Sequence, residues 1–552
     1  MNYTITATRQ SNNQSKRTNL CKVIIKKAIR EFLPNTRGRD IGYVAIPVIN
    51  IMNNIIIFGG GTSGWLSAAY LVNNLRTDTK ITLIEDASAG PIGVGEGTQP
   101  LTAKFLYACG IEAHHWMKPS NASFKYGVEL TGWNDEPYFV DNDVVDNVLP
   151  APHLPVSKYF VDKPYSEFAK WHPAYRLAKN NTATKIDDET DINFNVGLDS
   201  YGAVHFSAYD IIATIKDLIL HKINYVNTKI TQIGSDVNGI TKLIDENNNE
   251  YTGDLYIDCS GFQSLLLGKT LKEPFISYDK WLINDSAVAM PTQYTNPEEE
   301  CFPYTKATTM KAGWRWTIPT YHRVGNGYVY SSKHITPEQA EAELREAIGE
   351  YDAPANHLKM RIGSHQNIAV KNVIAVGLSA GFVEPLEATG ITFTTALVSS
   401  FTDLMNRSRN DWSEQPQAML NRGFYEMNIE ILTFIFAHYY FSNRNDTPYW
   451  QEIRSQSLND LPDDAQMMMS QYYPNIPEFV FFSPGSMFSS VQWWSMLHAG
   501  GAYPNAKSTL TDKQKDYVEH FMKVQDLRVE SSKELFGNHY KFLDKWYSEW
   551  KE

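Results

Sequence analysis

Cysteine is scarce in this chain: Cys21, Cys109, Cys259 and Cys301 are the only four in 552 residues. None falls in a C-x-x-C pair, which excludes a zinc ribbon or thioredoxin-like motif and offers no disulfide framework; no metal site is expected. Reduced, buried thiols of a cytoplasmic protein are the simplest expectation. Positive charge is also short. With 50 Lys and Arg against 62 Asp and Glu, the formal charge is −12, so a nucleic-acid partner, which needs a basic face, is not expected. No apolar run approaches the roughly 18 uninterrupted residues of a membrane span, so no membrane partner is expected either. Internal repeats and low-complexity blocks are absent.

Aromatic residues are the opposite case, at 13% of the chain with 13 Trp and 31 Tyr. That abundance suits apolar binding cavities and large aromatic cores equally. The first 51 residues stand apart. They carry Arg9, Lys16, Arg17, Lys22, Lys26, Lys27, Arg30, Arg37 and Arg39 against only Glu31 and Asp40. Residues 1–51 read as a poorly ordered extension ahead of Met52, with a targeting segment as the alternative.

Ile55 to Phe58 has the look of a buried parallel strand, four bulky residues running into glycines. A helix is expected over Trp65–Arg76 and a second strand over Ile81–Ile84, closing on Glu85. The glycines between read G-x-G-x-x-G. Gly59 makes the tight turn, Gly61 lets the backbone approach a pyrophosphate, and Gly64 lets the helix pack on the strand, with Thr62 and Ser63 between them. Glu85 sits about twenty residues further on, where an acid suits a ribose hydroxyl. A dinucleotide site follows from this context, but the motif does not separate NAD from FAD. A second glycine cluster, Gly93-Val94-Gly95-Glu96-Gly97-Thr98, is a candidate cofactor loop through Gly93, Gly95 and Glu96. Further strands are expected at Asp254–Asp258, Ala287–Met290, Gly327–Tyr330 and Asn372–Val376. Helices are expected at Pro337–Gly349, Ile391–Asn406 and Gly423–Tyr440, and in the charged tail Thr511–Lys551.

Trp314-Arg315-Trp316-Thr317-Ile318-Pro319 sets two tryptophans one residue apart. Taken with the glycine motif, this W-x-W-x-I-P run resembles the signature of flavin-dependent halogenases of the tryptophan halogenase type. The resemblance extends from Met52 to about Trp450. It takes in Asn121-Ala122-Ser123-Phe124-Lys125, Asn284–Ala289, Gly327–Ser332, Phe382–Gly390 and Asp446–Trp450. It implies an α/β, Rossmann-like FAD-binding fold with an interleaved β-sheet substrate region and a helical C-terminal part. In these terms residues 52–410 form the FAD-binding halogenase core and 411–552 a helical substrate-covering region.

The same resemblance implies an enzyme that uses FAD as FADH2, O2 and halide to form hypohalous acid, delivered through Lys125 to an electron-rich aromatic. Glu387 is implied as the partner carboxylate, with Glu384 structural. Thr389 and Gly390 match the halide-binding backbone. Trp314, Trp316, Ile318 and Pro319 match the wall of the tunnel between flavin and substrate. Leu378 stands where aromatic hydroxylases carry a flavin-binding Asp, which speaks against a flavin monooxygenase; a non-catalytic FAD-binding protein is opposed by having both Lys125 and Glu387. Two positions depart from the family pattern, Gly97 for Ala and Ala388 for Ser, and leave bromide or iodide as candidate preferences over chloride.

The clamp that halogenases of free tryptophan place on their substrate is not matched. Its positions align with Ile476-Pro477, Ser483 and Met487-Phe488, and pocket candidates are Phe481, Phe482, Phe488, Trp493 and Trp494. An apolar pocket suits an indole-like or phenolic small molecule. No second flavin domain or nicotinamide site is evident, so a separate flavin reductase is the expected partner. A homo-oligomer is left open.

Overall fold

Three consecutive isoleucines and a phenylalanine form the strand Asn54–Phe58, with Ile55, Ile56 and Ile57 all buried. The computed structural model describes residues 52–76, 78–89, 96–142, 153–183, 203–475 and 486–549, so the basic extension 1–51 lies outside it. The strand is central in a six-stranded sheet. Lys80–Glu85 and Asn224–Asn227 follow on one side; Leu255–Asp258, Val373–Ala375 and Ala369–Val370 follow on the other. All neighbours are parallel except the last pair. A parallel sheet needs both faces covered, which is why these strands read as unbroken apolar runs.

The helix after the glycines spans Thr62–Asn74, three residues earlier than the apolar pattern suggested. Gly64 allows this, since a Cβ there would lie 1.9 Å from the Gly59 carbonyl oxygen. Gly59 itself has φ 116°, open to glycine alone at little cost.

A second sheet of seven strands stands against this nucleotide half. In order it runs Asn356–Lys359, Ser286–Thr292, Val324–Tyr330, Gly313–Pro319, Thr305–Met310, Gly127–Thr131 and Tyr138–Asp141. The W-x-W-x-I-P run is the middle strand. A small three-stranded sheet, Glu96–Gly97, Ala203–Phe206 and Ser123–Lys125, carries the lysine.

Helices close the molecule. Thr389–Ser408 packs on the glycine-turn helix, and Glu414–Tyr440 packs on Thr389–Ser408. The latter begins nine residues before the expected Gly423, because Pro416 falls in its first turn, where a missing N–H costs nothing. Its last two turns, including Ile431 to Tyr439, are buried on every side. The charged tail is two helices, Asp512–Phe536 and His539–Glu549, divided at Gly537 with φ 63°. The second folds back on the lysine strand: the Phe124 N–H donates to His539 Nε2 (3.2 Å), and the Tyr547 hydroxyl to the Ala122 carbonyl (2.9 Å). Among the described residues no helix is long and apolar enough to cross a membrane.

Candidate active site

The carboxyl ends of Asn54–Phe58, Lys80–Glu85, Leu255–Asp258 and Val373–Ala375 open on a cavity of about 890 Å³. Open α/β sheets place ligands at this edge. Gly59, Gly61, Thr62, Ser63, Glu85, Glu96 and Leu378 all line it. Gly64 lies just behind, packed on Gly59. Gly93 and Gly95 lie outside the described residues.

The glycine-turn helix starts with no side-chain cap, and a Cβ on Gly61 would meet nothing within 4 Å. Free first-turn N–H groups beside open space fit a pyrophosphate. Glu85 is more engaged than its spacing suggested. One carboxylate oxygen accepts from Lys216 Nζ (2.6 Å) and the Tyr225 hydroxyl (2.6 Å), the other from Trp65 Nε1 (3.1 Å). Lys216 also lines the cavity. Sequence reading missed Lys216 and Tyr225, since no motif marks them and both come from elements far along the chain. Glu96 accepts from the Ala208 N–H (3.0 Å), capping the next helix. These residues fit a flavin dinucleotide, with glycines for its phosphates and a paired acid for a ribose.

Trp314, Trp316, Ile318, Ala388, Thr389 and Gly390 line the same cavity. The two indoles sit edge to face, 6.3 Å between centroids. Trp314 donates its ring N–H to Glu384, which also accepts from the Tyr439 hydroxyl and from Asn284 Nδ2 (3.0 Å). Burial raises the Glu384 carboxyl to about 7, against these three bonds. Glu384 therefore ties Trp314 to Asn284 and Tyr439. Trp316 lies over Gly327 on the neighbouring strand, where a Cβ would come within 2.0 Å of its ring. Pro319 turns its carbonyl away to Ser123 Oγ (2.5 Å) and His205 Nδ1 (3.0 Å).

Lys125 ends its strand with its side chain fully buried, and Nζ donates to the Thr98 carbonyl (2.8 Å). Burial lowers the ammonium from 10.5 to about 8, with Glu387 opposing the shift. Glu387 is equally buried, and neither of its oxygens has a hydrogen-bond partner. Its backbone is held by Gln99, whose Nε2 donates to the Glu387 carbonyl (2.7 Å). His438 Nε2 stands 3.4 Å from Oε1, and His438 Nδ1 is 2.8 Å from the Tyr138 hydroxyl. The next residue, Ala388, takes φ 55° and leaves the start of helix Thr389–Ser408 without a side-chain cap. Thr389 and Gly390 are the first two residues of that helix, so their amides are available to an anion.

Of the pocket candidates, Phe481 and Phe482 lie outside the described residues. Phe488 stacks on Phe434 (3.9 Å), and Trp493 meets Phe434 edge-on (4.8 Å) and stacks on Tyr472 (4.6 Å). Phe434 in turn packs on His438 (5.0 Å), linking this aromatic group to Glu387. Trp494 points elsewhere, stacked between His498 (4.9 Å) and Tyr503 (5.3 Å).

Residues 54–516 match the tryptophan halogenase family. Among curated relatives, the 7-chloro-L-tryptophan 6-halogenase KtzR of Kutzneria sp. (strain 744) is 30% identical over 527 residues, 89% of this chain and 98% of its own. The tryptophan 7-halogenase RebH of Lentzea aerocolonigenes is 30% identical over 505 residues, 83% of this chain and 91% of its own. Among solved structures, Xcc4156, a flavin-dependent halogenase from Xanthomonas campestris, superposes with a TM-score of 0.78 at 25% identity, covering 90% of this chain and 98% of that one. By its glycine cradle, its tryptophan wall and this similarity along most of its length, the chain belongs to the tryptophan halogenase family of flavin-dependent halogenases.

Proposed function

We propose that this enzyme halogenates an electron-rich aromatic with hypohalous acid that passes from the flavin cavity to Lys125. The observation that carries the proposal is the pairing of a buried lysine and a buried carboxylate beside Gly97 and Ala388, next to the cavity rather than in its lining. Reduced flavin, with O2 and halide, supplies the oxidised halogen when bound. Lys125 then hydrogen-bonds the oxidant and aims it, and Glu387 takes the ring proton after attack. The Thr389 and Gly390 amides hold halide at the cavity end of their helix. FADH2 arrives from a separate reductase.

Two departures from the family pattern meet in space. A Cβ on Gly97 would lie 3.4 Å from the Ala388 Cβ and 3.6 Å from Lys125 Cδ. The missing methyl and hydroxyl leave room beside Lys125 for a larger halogen, which supports bromide or iodide. Gly97→Ala with Ala388→Ser is expected to shift the product ratio toward chloride in a competition assay read by mass spectrometry.

The substrate is an indole-like or phenolic small molecule. Phe434, Phe488, Trp493 and Tyr472 pack on one another as an apolar cluster beside His438, and the buried acid nearby, Glu430, is occupied. It accepts from the Met487 (3.0 Å) and Phe488 (3.1 Å) N–H groups and from Ser486, so it is not free for an amino-acid ammonium. Purified enzyme with FAD, reductase, NADH, air and each halide is expected to halogenate simple indoles or phenols faster than tryptophan. Lys125→Ala is expected to abolish product while keeping flavin affinity. Hydroxylated product, or halogenated product from Lys125→Ala, overturns the reading.

A further inference from the structure

Burying a carboxylate without hydrogen-bond donors is costly, and an unheld side chain is poorly aimed, so Glu387 calls for a partner. Lys125 provides charge, but its own bond goes to the Thr98 carbonyl. Gln99 reaches only the Glu387 backbone. The polar group that faces the carboxylate is His438 Nε2, 3.4 Å from Oε1 and without a hydrogen-bond partner of its own. Its other nitrogen meets the Tyr138 hydroxyl at 2.8 Å.

We propose that His438, held by Tyr138, is a positioning residue that presents Nε2–H to Glu387 and keeps that carboxylate aimed at the substrate. The inference rests on the reading of Glu387 given above. Three observations support it. The Tyr138 ring lies parallel to His438, 6.0 Å away at 18°, so the hydroxyl meets Nδ1 from a fixed direction. Burial and the charge of Glu387 keep the Tyr138 phenol protonated, so it donates to Nδ1 and leaves the imidazole proton on Nε2. Phe434 (5.0 Å) and Trp133 (6.4 Å) hold the ring edge to face and carry no charge that competes. The gap of 3.4 Å is a few tenths beyond an ordinary N–H···O bond and closes with a small side-chain shift.

Three variants and one spectrum test this. Halogenated product is measured at saturating and limiting aromatic for His438→Phe, His438→Gln and Tyr138→Phe, alongside flavin affinity. Loss of a charge-assisted hydrogen bond is expected to lower kcat of His438→Phe about ten- to a hundredfold, with KM and flavin affinity unchanged. His438→Gln, whose amide can donate to Glu387 and accept from Tyr138, is expected to recover most of kcat, and Tyr138→Phe to fall between. A packing role instead predicts that the aromatic His438→Phe is the better-tolerated variant; kcat within twofold of wild type for both it and Tyr138→Phe overturns the proposal. If His438→Phe does not fold, Tyr138→Phe decides. Independently of turnover, 15N-histidine NMR of the flavin-free protein is expected to show Nε2 protonated in the signal that His438→Gln removes. An unprotonated Nε2 overturns the proposal. Wild-type enzyme that yields no halogenated product would instead count against the proposed function, and the spectrum would still decide the role of His438.

Discussion

Lys125 and Glu387 are each costly to bury and are useful because they are buried together. The Lys125 ammonium, lowered to about 8, is charged below that pH and neutral above it. If it acts as a hydrogen-bonding ammonium, halogenation is expected to fall as pH rises through about 8, read from initial rates across a buffer series. Stability runs the opposite way, rising with pH over this range. An unfolded lysine stays protonated up to 10.5, so burial of Lys125 costs stability below about pH 8, and that cost fades between the two values. Replacing a buried pair with well-packed hydrophobic residues of similar size is often stabilising by about 1–4 kcal/mol. The double variant Lys125→Met/Glu387→Met is therefore expected to resist urea better than wild type while making no product. Both residues are visible in the sequence through their motifs. Their holders are not: Tyr138 and His438 are 300 positions apart, and a lone histidine in an apolar helix reads as ordinary core.

At the scale of elements, the packing of the tryptophan strand depends on one glycine. Trp316 pairs across the sheet with Gly327, and a Cβ there would come within 2.0 Å of its ring. Gly327→Val is expected to push Trp316 off the strand and to destabilise by about 1–3 kcal/mol, the usual cost of overpacking. Thermal unfolding would register the loss, and weaker flavin binding would register the displaced wall. The glycine-turn helix and four strands of the six-stranded sheet were legible because each follows a local period and local turn chemistry; the edge strands Asn224–Asn227 and Ala369–Val370, half-buried or short, were not. Helix starts were less so. Thr62 and Glu414 begin earlier than the apolar pattern, since their first turns are set by Gly64 against Gly59 and by Pro416, not by hydrophobic spacing.

Across the whole molecule, the helix His539–Glu549 reaches back to the Lys125 strand. His539 accepts from the Phe124 N–H and meets the Cys301 carbonyl through Nδ1 (2.8 Å), next door to Lys125. Removing it leaves a buried amide unpaired, so His539→Ala is expected to cost about 1–3 kcal/mol and to lower halogenation more than flavin binding. Burial depresses His539 and His498 from 6.5 to about 4, and His205 well below its ordinary value. The unfolded chain takes up these protons near pH 6.5 while the folded one resists them. Stability is therefore expected to fall as pH drops from about 6.5 toward 4, each histidine at about 4 contributing about 3 kcal/mol by the end of that range. Urea midpoints at pH 7 and 5 would show it.

The sequence by itself determined the centre of the dinucleotide sheet and its glycine turn, and its motifs marked the two tryptophans, Lys125 and Glu387, because strand periods, glycine turns and motif order are local properties of a chain. Only the tertiary structure decided which groups support them: Lys216 and Tyr225 on Glu85, Asn284 and Tyr439 on Glu384, His438 and Tyr138 at Glu387, and the tail helix behind Lys125. Those partners meet across about fifty to four hundred residues, and no local pattern encodes a contact that packing alone brings about.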